Sequence, residues 1–234
     1  MKDYPHSVGT IDGQQFHLLA EEAQHLAQVL RMNPGDRIIG LDGQGNAYEV
    51  ELEAITRKAG HGSILQTWTD YGQVKGRLHI AMAPPKSQDR LNTFLEKAVE
   101  MGIHEFTPVI ADRSERRKVN VERLHRVAVA ACKQSHKGRF PSINEPIALS
   151  AFLEQAQPGA IAVCFGDRTN WLTYLQDQSS CTLLIGPEGD FSETELQLAI
   201  ERGWQAVHLG PHRLRTETAG LQAVAQFAGW INQS

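Results

Sequence analysis

The spacing of apolar residues changes character once along the chain. Up to about residue 70, short apolar stretches (Arg37 to Leu41, Ala47 to Leu52, Ser63 to Trp68) are punctuated by turn signals. Those signals are Asn33-Pro34-Gly35-Asp36 and Asp42-Gly43-Gln44-Gly45-Asn46, as expected of strands joined by tight turns. One helical piece, about Glu21 to Met32, places Leu26, Val29 and Leu30 on one face. Together these predict a small barrel. Asp70 to Gly76 reads as a linker. Strands and helices then alternate, which predicts a mostly parallel, doubly wound sheet. Strand Leu78 to Ala83 ends in Pro84-Pro85, and a helix starts at about Gln88 with Leu91, Leu95, Ala98 and Met101 on one stripe. Gly102 is placed to end it in the left-handed conformation. Strand His104 to Ile110 and a basic helix follow. Strands Ile161 to Phe165, Thr182 to Ile185 and Ala206 to Leu209 run into Gly166, Gly186 and Gly210. Ser192-Glu193-Thr194-Glu195 reads as a capping box, with Leu196, Ala199 and Ile200 on the buried side of its helix. Thr216 is placed to cap the last helix, Glu217 to Trp230.

Composition narrows the class. With 41% hydrophobic residues in 234, the chain can bury a core. No apolar run approaches 18 residues, so no membrane span is expected. The opening Met1-Lys2-Asp3-Tyr4-Pro5 has no apolar run behind it, so the protein is expected in the cytoplasm. Cys132, Cys164 and Cys181 form no C-x-x-C, which predicts reduced core thiols. The ten histidines are scattered, and no cluster has metal-ligand spacing.

Charge changes the picture more. The formal net charge is -4, yet Arg113 to Arg139 holds nine basic and two acidic residues, leaving the remainder at -11. Concentrated basic charge on an acidic protein marks a phosphate-binding footprint. On a helical wheel Arg123, Arg126, Lys133 and Lys137 share an arc of about 80°, opposite Val121, Leu124, Ala128 and Ala131. One face packs, and the other is cationic.

The three glycine-ended strands nominate one pocket, because ligands bind outside the carboxyl ends of strands in an open α/β sheet. Its expected lining is Phe165, Gly166, Ile185, Gly186, Pro187, Glu188, Gly189, Leu209, Gly210, Leu214 and Thr216. Neither G-x-G-x-x-G nor G-x-x-x-x-G-K-[ST] occurs, which disfavours a dinucleotide dehydrogenase or a P-loop NTPase. Arg215 stands just before a helix start, where a cation opposes the helix dipole. Such a cation is either functional or paired with Glu217.

These residues compose recognisable motifs. Leu184-Ile185-Gly186-Pro187-Glu188-Gly189-Asp190-Phe191-Ser192-x-x-Glu195 resembles the RsmE signature G-P-E-G-G-[FW]-S-x-x-E. Leu209-Gly210-Pro211-x-x-Leu214-Arg215-Thr216-Glu217-Thr218-Ala219 resembles its second signature, L-G-x-R-I-L-R-x-E-T-A. His25-Leu26-x-x-Val29-Leu30-Arg31, Gly35-Asp36, Lys97-Ala98-x-Glu100-x-Gly102 and Cys132-x-Gln134-Ser135 also fit. Three departures stand out. Asp190 replaces the second glycine of the G-G pair, His212-Arg213 replaces R-I, and Lys2-Asp3-Tyr4 replaces a basic-aromatic opening.

The resemblance implies a fold and a reaction. Residues 1–70 would be a PUA-like RNA-binding barrel, and 77–234 a SPOUT methyltransferase domain with a deep trefoil knot at about 161–220. The cofactor would be S-adenosylmethionine (SAM), bound by the lining residues above, and no metal is expected. The substrate would be N3 of uridine 1498 in 16S rRNA of the small ribosomal subunit, and the enzyme a homodimer. Arg215 is the first candidate for a catalytic cation and Arg213 the second; Glu217 would accept a proton or hold Arg215. Arg31, Lys86, Arg113, Arg116, Arg117, Arg123, Arg126, Lys133 and Arg139 would bind RNA. Two alternatives stay open: a SPOUT ribose 2′-O-methyltransferase, and an RNA-binding module whose SAM pocket is inactivated by the charge of Asp190.

Overall fold

The structure, a computed structural model, describes residues 4–232; Lys2 and Asp3 of the chain opening lie outside them. Contacts divide the chain into two units. One is the chain up to Gln73 together with Cys132–Phe140; the other is Val74–Ala131 with Pro141 onward.

The first unit is a closed five-stranded barrel: β1 (His6–Asp12), β2 (Gln15–Leu18), β3 (Arg37–Leu41), β4 (Ala47–Ile55) and β5 (Gly60–Trp68). Neighbours run β1-β2-β5-β4-β3, and a parallel β1–β3 pairing closes the ring. Phe16 fills the barrel, fully buried among Leu18, Ile38, Val50 and Leu52. Gly9 and Gly40 make room for it, since a Cβ on either would stand 2.5 Å from its ring. Helix α1 (Ala20–Gln28) adds Ala23 and Leu26 to this core. It ends sooner than the apolar spacing suggests. Val29 and Leu30 are 65% and 45% exposed, and Arg31 turns left-handed at φ 53. The expected common face therefore stops at Leu26.

The second unit is an eight-stranded, wholly parallel sheet, its order β11-β13-β10-β12-β6-β7-β8 with β9 beside β7. Its strands are β6 (Arg77–Met82), β7 (Glu105–Ile110), β8 (Ser142–Ile143), β9 (Ile147–Ala148), β10 (Ala160–Ala162), β11 (Thr169–Asn170), β12 (Ser180–Ile185) and β13 (Gln205–His208). The central strands are largely apolar, as a covered parallel sheet demands, with His79 bonded to Thr107 and Thr182 on one face. Helices are α2 (Gln88–Met101), α3 (Val121–Gln134), α4 (Leu149–Gln155), α5 (Trp171–Tyr174), α6 (Glu193–Glu201) and α7 (Thr216–Ile231). Gly102 ends α2 at φ 100, as its place in the sequence predicts. No helix among the described residues is long and apolar enough to cross a membrane.

Strand β10 is shorter than its apolar run. Val163, Cys164 and Phe165 look like strand residues but leave the ladder after Ala162. Side chains take over their backbone groups: Arg168 donates to the Val163 carbonyl at 3.0 Å, and the Cys164 N–H donates to Asp190 at 2.9 Å.

Candidate active site

Three loops at the carboxyl ends of β10, β12 and β13 enclose a cleft of about 390 Å³, within the usual range for small-molecule sites. Of the expected lining, Ile185, Gly186, Pro187, Glu188, Leu209, Gly210, Leu214 and Thr216 face it. Phe165, Gly166 and Gly189 do not line it. Phe165 is 37% exposed, and a Cβ on Gly166 would meet nothing within 4 Å. The early end of β10 brings Val163, Cys164 and Arg168 to the wall instead. His212 and Arg213 also line it.

Each motif fixes part of this wall. In the first, Gly186 presses on Phe191, whose ring would stand 3.1 Å from an added Cβ. The Pro187–Asp190 turn closes through the Asp190 N–H and the Pro187 carbonyl at 2.9 Å. The capping box at Ser192 and Glu195 forms as its residues predict. Glu195 does more than cap: its buried carboxylate also accepts the Asp112 N–H at 2.8 Å, tying the end of β7 to the start of α6. In the second motif, Gly210 takes φ 151, a conformation open to glycine.

Thr216 departs from its expected role. It is the first residue of α7, and Arg215 holds the capping position without a side-chain cap bond. The Thr216 hydroxyl, 4% exposed with its residue, donates to the Gly186 carbonyl at 3.1 Å. That bond joins the two motifs directly across 30 residues of chain.

Asp190 does not intrude on the site as a stray charge. It sits at φ 61, which aspartate tolerates better than most residues. Its carboxylate accepts from the Phe191 N–H at 2.8 Å and the Cys164 N–H at 2.9 Å, bridging two walls of the cleft. Cys164 is exposed, unlike the expected core thiols; Cys132 and Cys181 are buried. Burial first, and the Asp190 carboxylate second, push the Cys164 thiol up. Burial pushes Cys132 and Cys181 up to about 12. All three stay protonated at neutral pH. No group of histidine, cysteine and carboxylate side chains among the described residues could hold a metal.

The candidate cations divide sharply. Arg113 donates to the Gly189 and Phe191 carbonyls at 2.8 and 3.3 Å, bracing the cleft loop. Arg116 donates to the Lys86 carbonyl and the Gln88 side chain, and Arg117 to the Asp112 carbonyl. Lys86 pairs with Glu115 at 2.9 Å. Arg213 reaches the Glu188 carbonyl at 3.3 Å. Glu217 does not hold Arg215: it pairs with Arg90 of α2 at 3.6 Å. Arg215, Arg123 and Arg126 are exposed, and none has an ion-pair partner among the described residues.

In the first unit, Arg31 and Arg139 are exposed. Lys133 is not free: it meets the buried Glu22 at 2.6 Å. Lys137 lies beyond the end of α3, half-buried, and burial lowers its ammonium. The expected four-cation stripe thus keeps Arg123 and Arg126 as its exposed members on α3.

Two family models match the chain. One, an RNA methyltransferase domain, covers residues 73–228; the other, an RNA methyltransferase PUA domain, covers residues 18–65. The ribosomal RNA small subunit methyltransferase E of Bacillus subtilis is 27% identical over 91% of this chain and 89% of its own length. Among solved structures, a probable rRNA-methyltransferase from Porphyromonas gingivalis is 35% identical, with a TM-score of 0.88, covering 98% of this chain and 99% of that one. A ribosomal RNA small subunit methyltransferase E from Neisseria gonorrhoeae, bound to S-adenosyl methionine, is 27% identical, with a TM-score of 0.85, over 95% and 96%.

Proposed function

The chain belongs to the RNA methyltransferase family, in its ribosomal RNA small subunit methyltransferase E branch, and on that premise we propose that it methylates N3 of a uridine in 16S rRNA, uridine 1498 in rRNA numbering. It is a SAM-dependent rRNA methyltransferase. The observation that carries the reading is the buried Thr216–Gly186 bond, which makes one cleft of the two motif loops.

The residues present fit SAM. Ile185, Leu209 and Leu214 offer apolar surface, glycine backbone lies open at Gly186 and Gly210, and the volume suits one small molecule. When bound, SAM supplies a methyl group already activated by its sulfonium. The protein's work is then alignment and charge. Phe191 and Arg113 hold the 186–191 loop in shape from behind. Uridine N3 must lose a proton before it attacks, which leaves negative charge on the neighbouring carbonyl oxygens. Arg215, unpaired at the start of α7, stabilises that charge. Arg90 fixes Glu217, so Arg215 stays free for substrate.

Under this reading the barrel and the exposed Arg123 and Arg126 hold RNA through phosphates. Residues 161–220 thread a trefoil knot, the chain works as a homodimer, and the setting is the cytoplasm. The test is methylation of unmodified small subunits, read by nucleoside mass spectrometry. The expected product is 3-methyluridine at a single site. A 2′-O-methylated nucleoside, or no product despite bound SAM, would overturn the assignment.

A further inference from the structure

We propose that Asp190 sets the charge balance of the cofactor cleft, cancelling a bias of its arginines against the cationic methyl donor relative to the neutral thioether left after transfer. The inference rests on the reading of the cleft as a SAM site. It starts from a residue that fills a glycine position of the resembled motif yet carries a fixed charge.

The geometry makes Asp190 a built part of the wall. Its backbone closes the Pro187–Asp190 turn, and its carboxylate oxygens accept one N–H each, from Phe191 and Cys164. Two bonds therefore hold the side chain and a third holds its backbone. Both amides donate to the carboxylate and fix its orientation. Acceptor capacity remains, since a carboxylate offers about four lone-pair sites.

The surrounding charges give this carboxylate its effect. Arg168 and Arg213 line the cleft as cations, and Glu188 as an anion. Both arginines are tethered to carbonyls of the wall, Val163 and Glu188. With glycine at position 190, these side chains would sum to +1; with aspartate they sum to zero. SAM carries a sulfonium, an ammonium and a carboxylate, for a net charge of +1. S-adenosylhomocysteine has lost the sulfonium charge and is net neutral. A +1 wall disfavours the donor relative to the product, and Asp190 removes that bias. Transfer to a deprotonated uridine would cancel the sulfonium charge and leave a neutral thioether, which a wall of zero net charge would hold without added attraction.

Binding alone tests this, without turnover. Calorimetry would compare SAM, S-adenosylhomocysteine and sinefungin, which keeps a cationic amine in place of the sulfonium. The wild-type protein should show no charge bias against either cationic ligand. Asp190→Asn keeps the side-chain shape and tolerates the left-handed backbone; Asp190→Gly restores the motif residue. Both should shift the SAM-to-product affinity ratio toward product by roughly five- to tenfold, the scale of one unit charge across a partly solvated wall. Sinefungin should follow SAM. Raised salt should narrow the bias of the two variants. If the two variants weaken all three ligands equally, Asp190 only braces the loop and the inference fails while the SAM site stands. If the wild-type protein binds none of them, the functional reading falls and takes this inference with it.

Discussion

Two sets of arginines lie close together in sequence and behave in opposite ways. Arg113, Arg116 and Arg117 donate to carbonyls of their own protein. Arg123 and Arg126, on α3, are exposed and have no ion-pair partner among the described residues. Both sets belong to the same basic block, and composition scores them alike. The difference is what backbone lies within reach. The loop after β7 runs beside the β12–α6 loop and the Lys86 carbonyl, whose orphan acceptors need donors. A helix satisfies its own carbonyls, so an arginine on its outer face meets only solvent. A cluster of positive charge is thus two things at once: part scaffold, part open donor.

The comparison can be broken experimentally, and the largest effect should come from the free cation between the cleft-lining Leu214 and Thr216. Arg215→Ala should slow single-turnover methylation about 100- to 1,000-fold while leaving SAM affinity within roughly twofold. A rate near the parent's would move the catalytic role to Arg213. Arg113→Ala should do the reverse. Losing two carbonyl bonds frees the Gly189–Phe191 loop, and stability should fall by about 1–3 kcal/mol, with SAM affinity falling alongside it. If chemical denaturation shows no loss and only RNA binding suffers, Arg113 belongs with the free set.

Lys133→Gln probes the intermediate case. Its ammonium neutralises a carboxylate that is otherwise buried. Its removal should cost about 1–3 kcal/mol in thermal or denaturant unfolding, with a smaller effect on RNA. Suppression of Glu22 together with Lys133, as Glu22→Gln/Lys133→Gln, should recover part of that loss. The smallest effects should come from Arg123→Gln and Arg126→Gln. Each should weaken RNA binding a few-fold and reduce the slope of log affinity against log salt by roughly one, without touching SAM binding. An unchanged slope would make α3 an ordinary solvated surface.

Local signals carried much of the fold in sequence. Gly102, the Ser192–Glu195 capping box and the glycines after β12 and β13 were legible because each reports a backbone need within a few residues of itself. The cleft was legible for the same reason. Long-range side-chain bonds were not. Nothing near Val163 and Cys164 announces that Arg168 will take the Val163 carbonyl and Asp190 the Cys164 N–H. Nothing near Lys133 announces Glu22, which is 111 residues away. The first two strands, β1 and β2, were missed because their partners β3 and β5 lie far along the chain. The Glu217 partner was misjudged because Arg215 is near in sequence, whereas Arg90 is near in space.

The composition of the first unit has a consequence for synthesis. Its turn at 43–45 is completed by a later segment: the Phe140 N–H donates to the Gly43 carbonyl and the Gly45 N–H to the Gly138 carbonyl. The Gly138 N–H in turn donates to the Tyr71 carbonyl. A ribosome elongating at about 5–20 residues per second makes residue 73 several seconds before residue 140. Over that interval the nascent barrel carries an unfinished turn, and the early strands of the second unit emerge while it waits. The order of emergence is therefore not the order of completion. A chain released at residue 73 should be less protected from protease than the same segment in the whole protein.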